Sequence, residues 1–168
     1  MKNVTGFGLK PIGLSIGCNN LMGLHKHDAH FRTVMIVVDA DASVAGAGPK
    51  IANIVKLPGG SGPTGAGYNP ERTAYEFIEV LAGPGNQYPT TRAILQDQKI
   101  SRDMLREHLL DGQTNISARE SAKNWMTKHI DKLAQWKIFE HWLAEHPKEA
   151  KKFGEDFLAA AVATAKLN

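Results

Sequence analysis

Hydrophobic residues along this chain change their spacing near residue 69. Before it they come in short unbroken runs; after it they recur at helical intervals. The first run, Ile12 to Ile16, ends at Gly17 and reads as a buried strand. Asn19 is placed to cap a short helix over Asn20 to His27. Val34-Met35-Ile36-Val37-Val38 is uniformly apolar, which suits a central strand of a parallel sheet, buried on both faces. It stops at Asp39-Ala40-Asp41. Ala52 to Leu57 is a third strand candidate, ended by Pro58-Gly59-Gly60. The segment from Pro58 to Asn69 holds five glycines and two prolines, which rules out a regular element there.

Asn69-Pro70-Glu71 then starts a helix: Asn caps, Pro takes the first helical position and Glu complements the positive helix end. The spacing predicts a helix to about Ala82, with Ala74, Phe77, Ile78 and Leu81 on its apolar face. A second is expected over Ser101 to Asp111, before Gly112. Ser117-Ala118-Arg119-Glu120 reads as a capping box. The helix it opens would carry Ala122, Trp125, Met126, Ile130, Leu133 and Trp136 on one stripe, continued by Phe139, Trp142 and Leu143. Pro147 restarts a last helix through Phe153, Phe157 and Ala161, and these aromatics read as core. The order of strands and helices predicts an α/β fold with a parallel-type sheet over residues 1–88, followed by an all-helical C-terminal region over 89–168. Ligands of such sheets bind beyond the carboxyl ends of the strands, where Asp39 and Asp41 stand.

With 42% hydrophobic and 22% charged residues, the chain can bury a sizeable core, which excludes global disorder. No apolar run approaches the ~18 residues of a membrane span, and the first residues lack the apolar core of a signal peptide. Cys18 is the only cysteine, so no internal disulfide forms. These features fit a cytoplasmic protein. A net charge of +3 and a pI near 9.0 suit a phosphate-rich partner, although many proteins without one are as basic.

Residues i and i+2 of an extended segment point the same way, so Asp39 and Asp41 would present two carboxylates together. Two such groups repel unless a proton or cation intervenes. A hard cation such as Mg²⁺ or Mn²⁺ resolves the repulsion with oxygen ligands. The other reading is that both aspartates simply end the strand and cap the loop. His25, His27 and His30 could hold a transition metal, but at this spacing they suit a solvated helix end better. Gly59 to Gly67 lacks the lysine of a phosphate-binding P-loop and does not open directly into a helix.

Three families place Asp-x-Asp after a hydrophobic strand. In haloacid-dehalogenase phosphatases the first aspartate is a nucleophile, which would be Asp39, but a later acidic pair is expected and no Asp-Asp occurs. Asp-x-Asp glycosyltransferases need a nucleotide-binding half upstream, and only 38 residues precede Asp39. The third is TOPRIM. The succession of Ile12 to Leu21, Val34 to Asp41, Ile54 to Gly59, and Asn69-Pro70-Glu71 with Tyr75-Glu76-Phe77 resembles the TOPRIM domain of OLD-family (overcoming lysogenization defect) nucleases, over roughly residues 8–82.

That resemblance implies carboxylates holding one or two divalent metals for phosphodiester cleavage. Asp39 and Asp41 match the family's Asp-x-Asp and are the implied catalytic and metal residues. Glu71 matches the acidic residue of its Pro-Glu segment as a further metal ligand, or else serves only the helix N-terminus. Gly17 matches a glycine that keeps the backbone close to the site. The family also uses a downstream lysine, for which Lys123 and Lys128 are candidates against a plain solvated-face role. The implied cofactor is Mg²⁺ or Mn²⁺, and the implied partner is nucleic acid, DNA ahead of RNA. An ATPase domain or subunit from another chain, and self-association, are further implied partners. One departure stands out: the family's first strand ends in a glutamate, and nothing before Gly17 is acidic. The chain is then expected to be a fragment, one half of a split protein, or a degenerate copy. The alternatives are a noncatalytic partner-binding subunit and an Asp-x-Asp phosphatase.

Overall fold

The computed structural model describes residues 18–42, 53–59, 69–110 and 115–166. The predicted strand at Ile12 to Ile16, with Gly17, and most of the glycine-rich segment after Gly59 lie outside the described residues. Within them the chain is mostly helical around a small parallel sheet. The helices are α1 (Cys18–His27), α2 (Ala29–Arg32), α3 (Pro70–Ala82), α4 (Pro89–Asp97), α5 (Arg102–Leu110), α6 (Asn115–His129), α7 (Ile138–Glu145) and α8 (Pro147–Ala165). The strands are β1 (Ile36–Val38) and β2 (Ile54–Lys56). No described helix is long and apolar enough to cross a membrane.

β1 and β2 pair in parallel, with Ile36 opposite Ile54 and Val38 opposite Lys56. The pairing is extended by Ile36 N–H donating to the Asn53 carbonyl at 2.8 Å and Leu57 N–H to that of Val38 at 2.8 Å. The expectation of burial on both faces of β1 is corrected. Ile36 and Val38 are buried with Ala42 against Leu21, Met22 and Phe31 from α1 and α2, but Val37 is 40% exposed. The alternation of a strand sends Val37 to the other face. Asn53, nearly fully buried, fixes the approach to β1: its amide donates to the carbonyls of Arg32 at 3.1 Å and Val34 at 2.8 Å.

α3 forms as its start signal predicts. Asn69 caps it by accepting from Arg72 N–H at 3.3 Å, and Pro70 occupies the first turn. One side of α3 buries Tyr75, Ile78 and Leu81 against α5 and α6, in a core shared with Leu95, Leu105, Trp125 and Trp136. The Tyr75 hydroxyl donates to the Leu105 carbonyl at 2.8 Å.

Three helical expectations are corrected. α1 is already helical at Cys18, so Asn19 lies inside it and does not precede it as a cap. α6 is already helical at Asn115, so Ser117 lies inside it and is no N-cap. The long stripe from Ala122 onward is not one helix either. α6 ends at His129, a 3-10 turn covers Ile130–Lys132, and Lys137 takes φ +53° before α7. With the helix broken there, Leu133, Trp136 and Ile138 reach the core, whereas Ile130, Phe139 and Leu143 are exposed.

Candidate functional site

The carboxyl end of β1 delivers Asp39 directly after Val38, and a tight turn closes with Ala42 N–H donating to the Asp39 carbonyl at 3.1 Å. Ala40 and Ala42 are buried on either side of Asp41. The extended geometry expected from sequence is corrected: the strand ends at Val38, and Asp39 and Asp41 are carried by a turn. Lys56, at the end of β2, donates to the Ala40 carbonyl at 3.5 Å and ties the two strand ends together.

Glu71, in the first turn of α3, is near enough for its charge to act on Asp39. Its Oε2 accepts from the Asn69 amide at 2.9 Å, so one residue both caps the helix and holds the carboxylate. α6, packed along α3, brings two cations across from them. Arg119 lies 3.3 Å from the Asp41 carboxylate through its terminal nitrogen. Lys123 stands one turn further along, on the same helix face.

The electrostatics of Asp39 record this convergence. Its carboxyl is held above the usual aspartate range, first by burial and then by the negative charges of Glu71 and Asp41; Arg119 and Lys123 act in the opposite direction. Asp39, Asp41 and Glu71 therefore share one electrostatic neighbourhood with Arg119 and Lys123. Lys128 is exposed on α6.

The donor set suits a hard cation in kind: crowded carboxylates, one of them partly desolvated, are stabilised by divalent charge. It does not close into a ready cage. Among the described residues, no group of three or more His, Cys, Asp or Glu side chains lies close enough together to hold a metal ion. Mg²⁺ commonly takes only one or two protein carboxylates and keeps several waters, which the Asp39–Asp41 pair can satisfy. The histidines stand apart from the site. His25 pairs with the Asn53 side-chain oxygen at 3.1 Å, and His27 and His30 are exposed at the end of α1 and in α2.

Sequence reasoning missed Arg119, whose pairing is long-range, and missed the second role of Asn69. The only sequence signal for Arg119 is its spacing four residues before Lys123. Compared with known proteins, the chain matches no family model, no curated protein and no solved structure.

Proposed function

We propose that this chain provides the metal-binding part of a Mg²⁺- or Mn²⁺-dependent phosphodiester hydrolase of TOPRIM-like, OLD type, acting on DNA by itself or within an assembly that completes the site. The observation that carries this reading is that Asp39, at the end of β1, feels the negative charges of Asp41 and Glu71 and the positive charges of Arg119 and Lys123, with Arg119 paired to Asp41 at 3.3 Å. Carboxylates on one side suit a divalent cation, and cations on the other suit a phosphate. Asp39 and Asp41 would hold the metal, with Glu71 acting through a bound water. A divalent ion bound there supplies Lewis-acid charge and an acidified water.

The chain's own residues do the rest. Asn69 fixes Glu71, and Lys56 fixes the turn that presents Asp41. Arg119 and Lys123 orient and partly neutralise the phosphate; Arg119 must leave Asp41 to do so. A phosphatase mechanism with Asp39 as nucleophile fits less well, because that family expects a later acidic pair and no Asp-Asp occurs in the chain. A noncatalytic, partner-binding role draws support from the same Arg119–Asp41 contact, read as a purely structural link between the strand end and α6.

Nicking of supercoiled DNA separates these readings. Incubation with Mg²⁺ or Mn²⁺ is expected to give metal-dependent cleavage that Asp39→Ala and Asp41→Ala abolish. If metal binds but nothing is cleaved, the site is one awaiting completion by another chain. Cleavage unchanged in both variants would remove the aspartates from the mechanism.

A further inference from the structure

A cavity of about 600 Å³ opens beside α3, away from the carboxylate site. At about 100° per residue, Thr73, Glu76, Phe77 and Val80 lie on the opposite side of α3 from Glu71, Tyr75 and Ile78. The other walls come from the turn before α4, the end of α7, and α8, with Gly59 also lining the cavity.

The aromatic part of the wall is locked in place. Trp142 stacks on His146 with centroids 4.5 Å apart and planes 9° from parallel. Phe77 meets the same imidazole edge-on at 5.8 Å. Tyr88 stacks on His141 at 3.8 Å, and the Thr91 hydroxyl holds that histidine at 2.8 Å. The charged part is acidic. Glu145 accepts from the Tyr88 hydroxyl at 2.9 Å and from the Gln87 amide. Both donors are neutral and aim its carboxylate, with the imidazoles of His146 and His141 near enough to act on its charge. Glu149 lines the cavity with no ion-pair partner among the described residues, whereas Glu76 is paired with Arg72 at 2.9 Å. In a chain of net charge +3, this is a local concentration of negative charge.

Aromatic faces carry negative quadrupoles and attract cations, and carboxylates add to that attraction. The same wall repels phosphate. It also supplies few oxygen ligands for a hard metal ion, which needs about six. The volume lies within the range of about 300–1,000 Å³ typical of small-molecule sites and is far larger than a bare ion requires. We propose that this cavity binds an organic cation: an alkylammonium or guanidinium head on an aliphatic stem, with the stem against Trp142 and Phe77 and the head at Glu145 and Glu149. A free polyamine and a Lys or Arg side chain of a peptide share this chemistry. The proposal is independent of the phosphodiesterase reading.

The test is calorimetric titration of the full chain with spermidine, with Nα-acetyl-lysine methylamide, and with the neutral Nα-acetyl-norleucine methylamide, alongside tryptophan fluorescence. The expected result is saturable binding of a cation, no binding of the neutral isostere, and at least tenfold weaker binding in Glu145→Gln/Glu149→Gln. Tighter binding of spermidine identifies a polyamine site, and tighter binding of the lysine amide identifies a peptide side chain. The single variant Glu149→Gln, altering an exposed and unpaired residue, should fold normally and still weaken binding severalfold. Absence of cation binding, equal binding of the neutral amide, or unchanged affinity in the variants would overturn the proposal. The last outcome would place spermidine elsewhere, such as at Asp39 and Asp41.

Discussion

The Arg119 guanidinium stands 3.3 Å from the Asp41 carboxylate, joining the end of the first described strand to a helix far along the chain. Arg119 is about half exposed and Asp41 about a quarter, so the contact belongs with weak surface ion pairs of about 0–1 kcal/mol. Its interest is competition: a guanidinium and a divalent cation seek the same oxygens. Arg119→Gln is expected to tighten Mn²⁺ binding by about two- to fivefold, the equivalent of ~0.5–1 kcal/mol, and to lower DNA cleavage. Calorimetry showing weaker metal binding in this variant would contradict the competition.

Asp39 makes a prediction about pH. Its folded-state pKa is raised above the ordinary value of 3.8, chiefly by burial. Between the two values the folded protein binds more protons than the unfolded chain, so stability falls as pH rises through that window. Below it, Asp39 is protonated in both states and the penalty vanishes. Asp39→Asn should therefore raise Tm at pH 7 in metal-free buffer, by an amount that solvent screening of this partly exposed group keeps small. The gain should disappear as pH drops below the ordinary aspartate range. The same variant should lose metal binding, so stability and binding move in opposite directions.

Asn69 couples the fold to the site. Asn69→Ala removes the α3 cap and the amide that holds Glu71. A loss of ~1 kcal/mol is expected from the cap alone, read as a lower urea midpoint. Weaker Mn²⁺ binding should accompany it. A stability loss with unchanged metal affinity would leave Glu71 outside the metal site.

Lys137 bears on the helical half alone. At φ +53° it carries a side chain in a conformation that suits glycine. Lys137→Gly is expected to stabilise the protein by ~0.5–1 kcal/mol, measured by thermal unfolding, with metal binding untouched. Destabilisation would mean that the lysine stem contributes more than the strain costs.

Local signals in the sequence were legible where they acted locally. Asn69-Pro70-Glu71 starts α3, Gly83 ends it, and Pro147 opens α8, because caps and proline act within a turn or two. Asp39 and Asp41 fall at the end of a parallel strand, as the apolar run before them indicated. What could not be read depended on distant pairing or on a break between helices. Nothing near Arg119 in sequence points to Asp41. The apolar spacing from Ala122 to Leu143 continues at helical intervals through a 3-10 turn and a left-handed residue, so periodicity alone could not reveal the break at His129. Asn53, which ties the approach to β1, looked like an ordinary residue near a strand start.

The central claim is that Asp39 and Asp41 hold a divalent cation, with Glu71 acting through a bound water, and calorimetric titration of the chain with Mn²⁺ tests it most directly. The account predicts saturable binding of one or two ions, lost in Asp39→Ala and Asp41→Ala and weakened in Glu71→Gln, with helical circular dichroism unchanged. Absence of binding by the unaltered chain, or equal binding in all three variants, would leave the two aspartates as no more than the end of a strand.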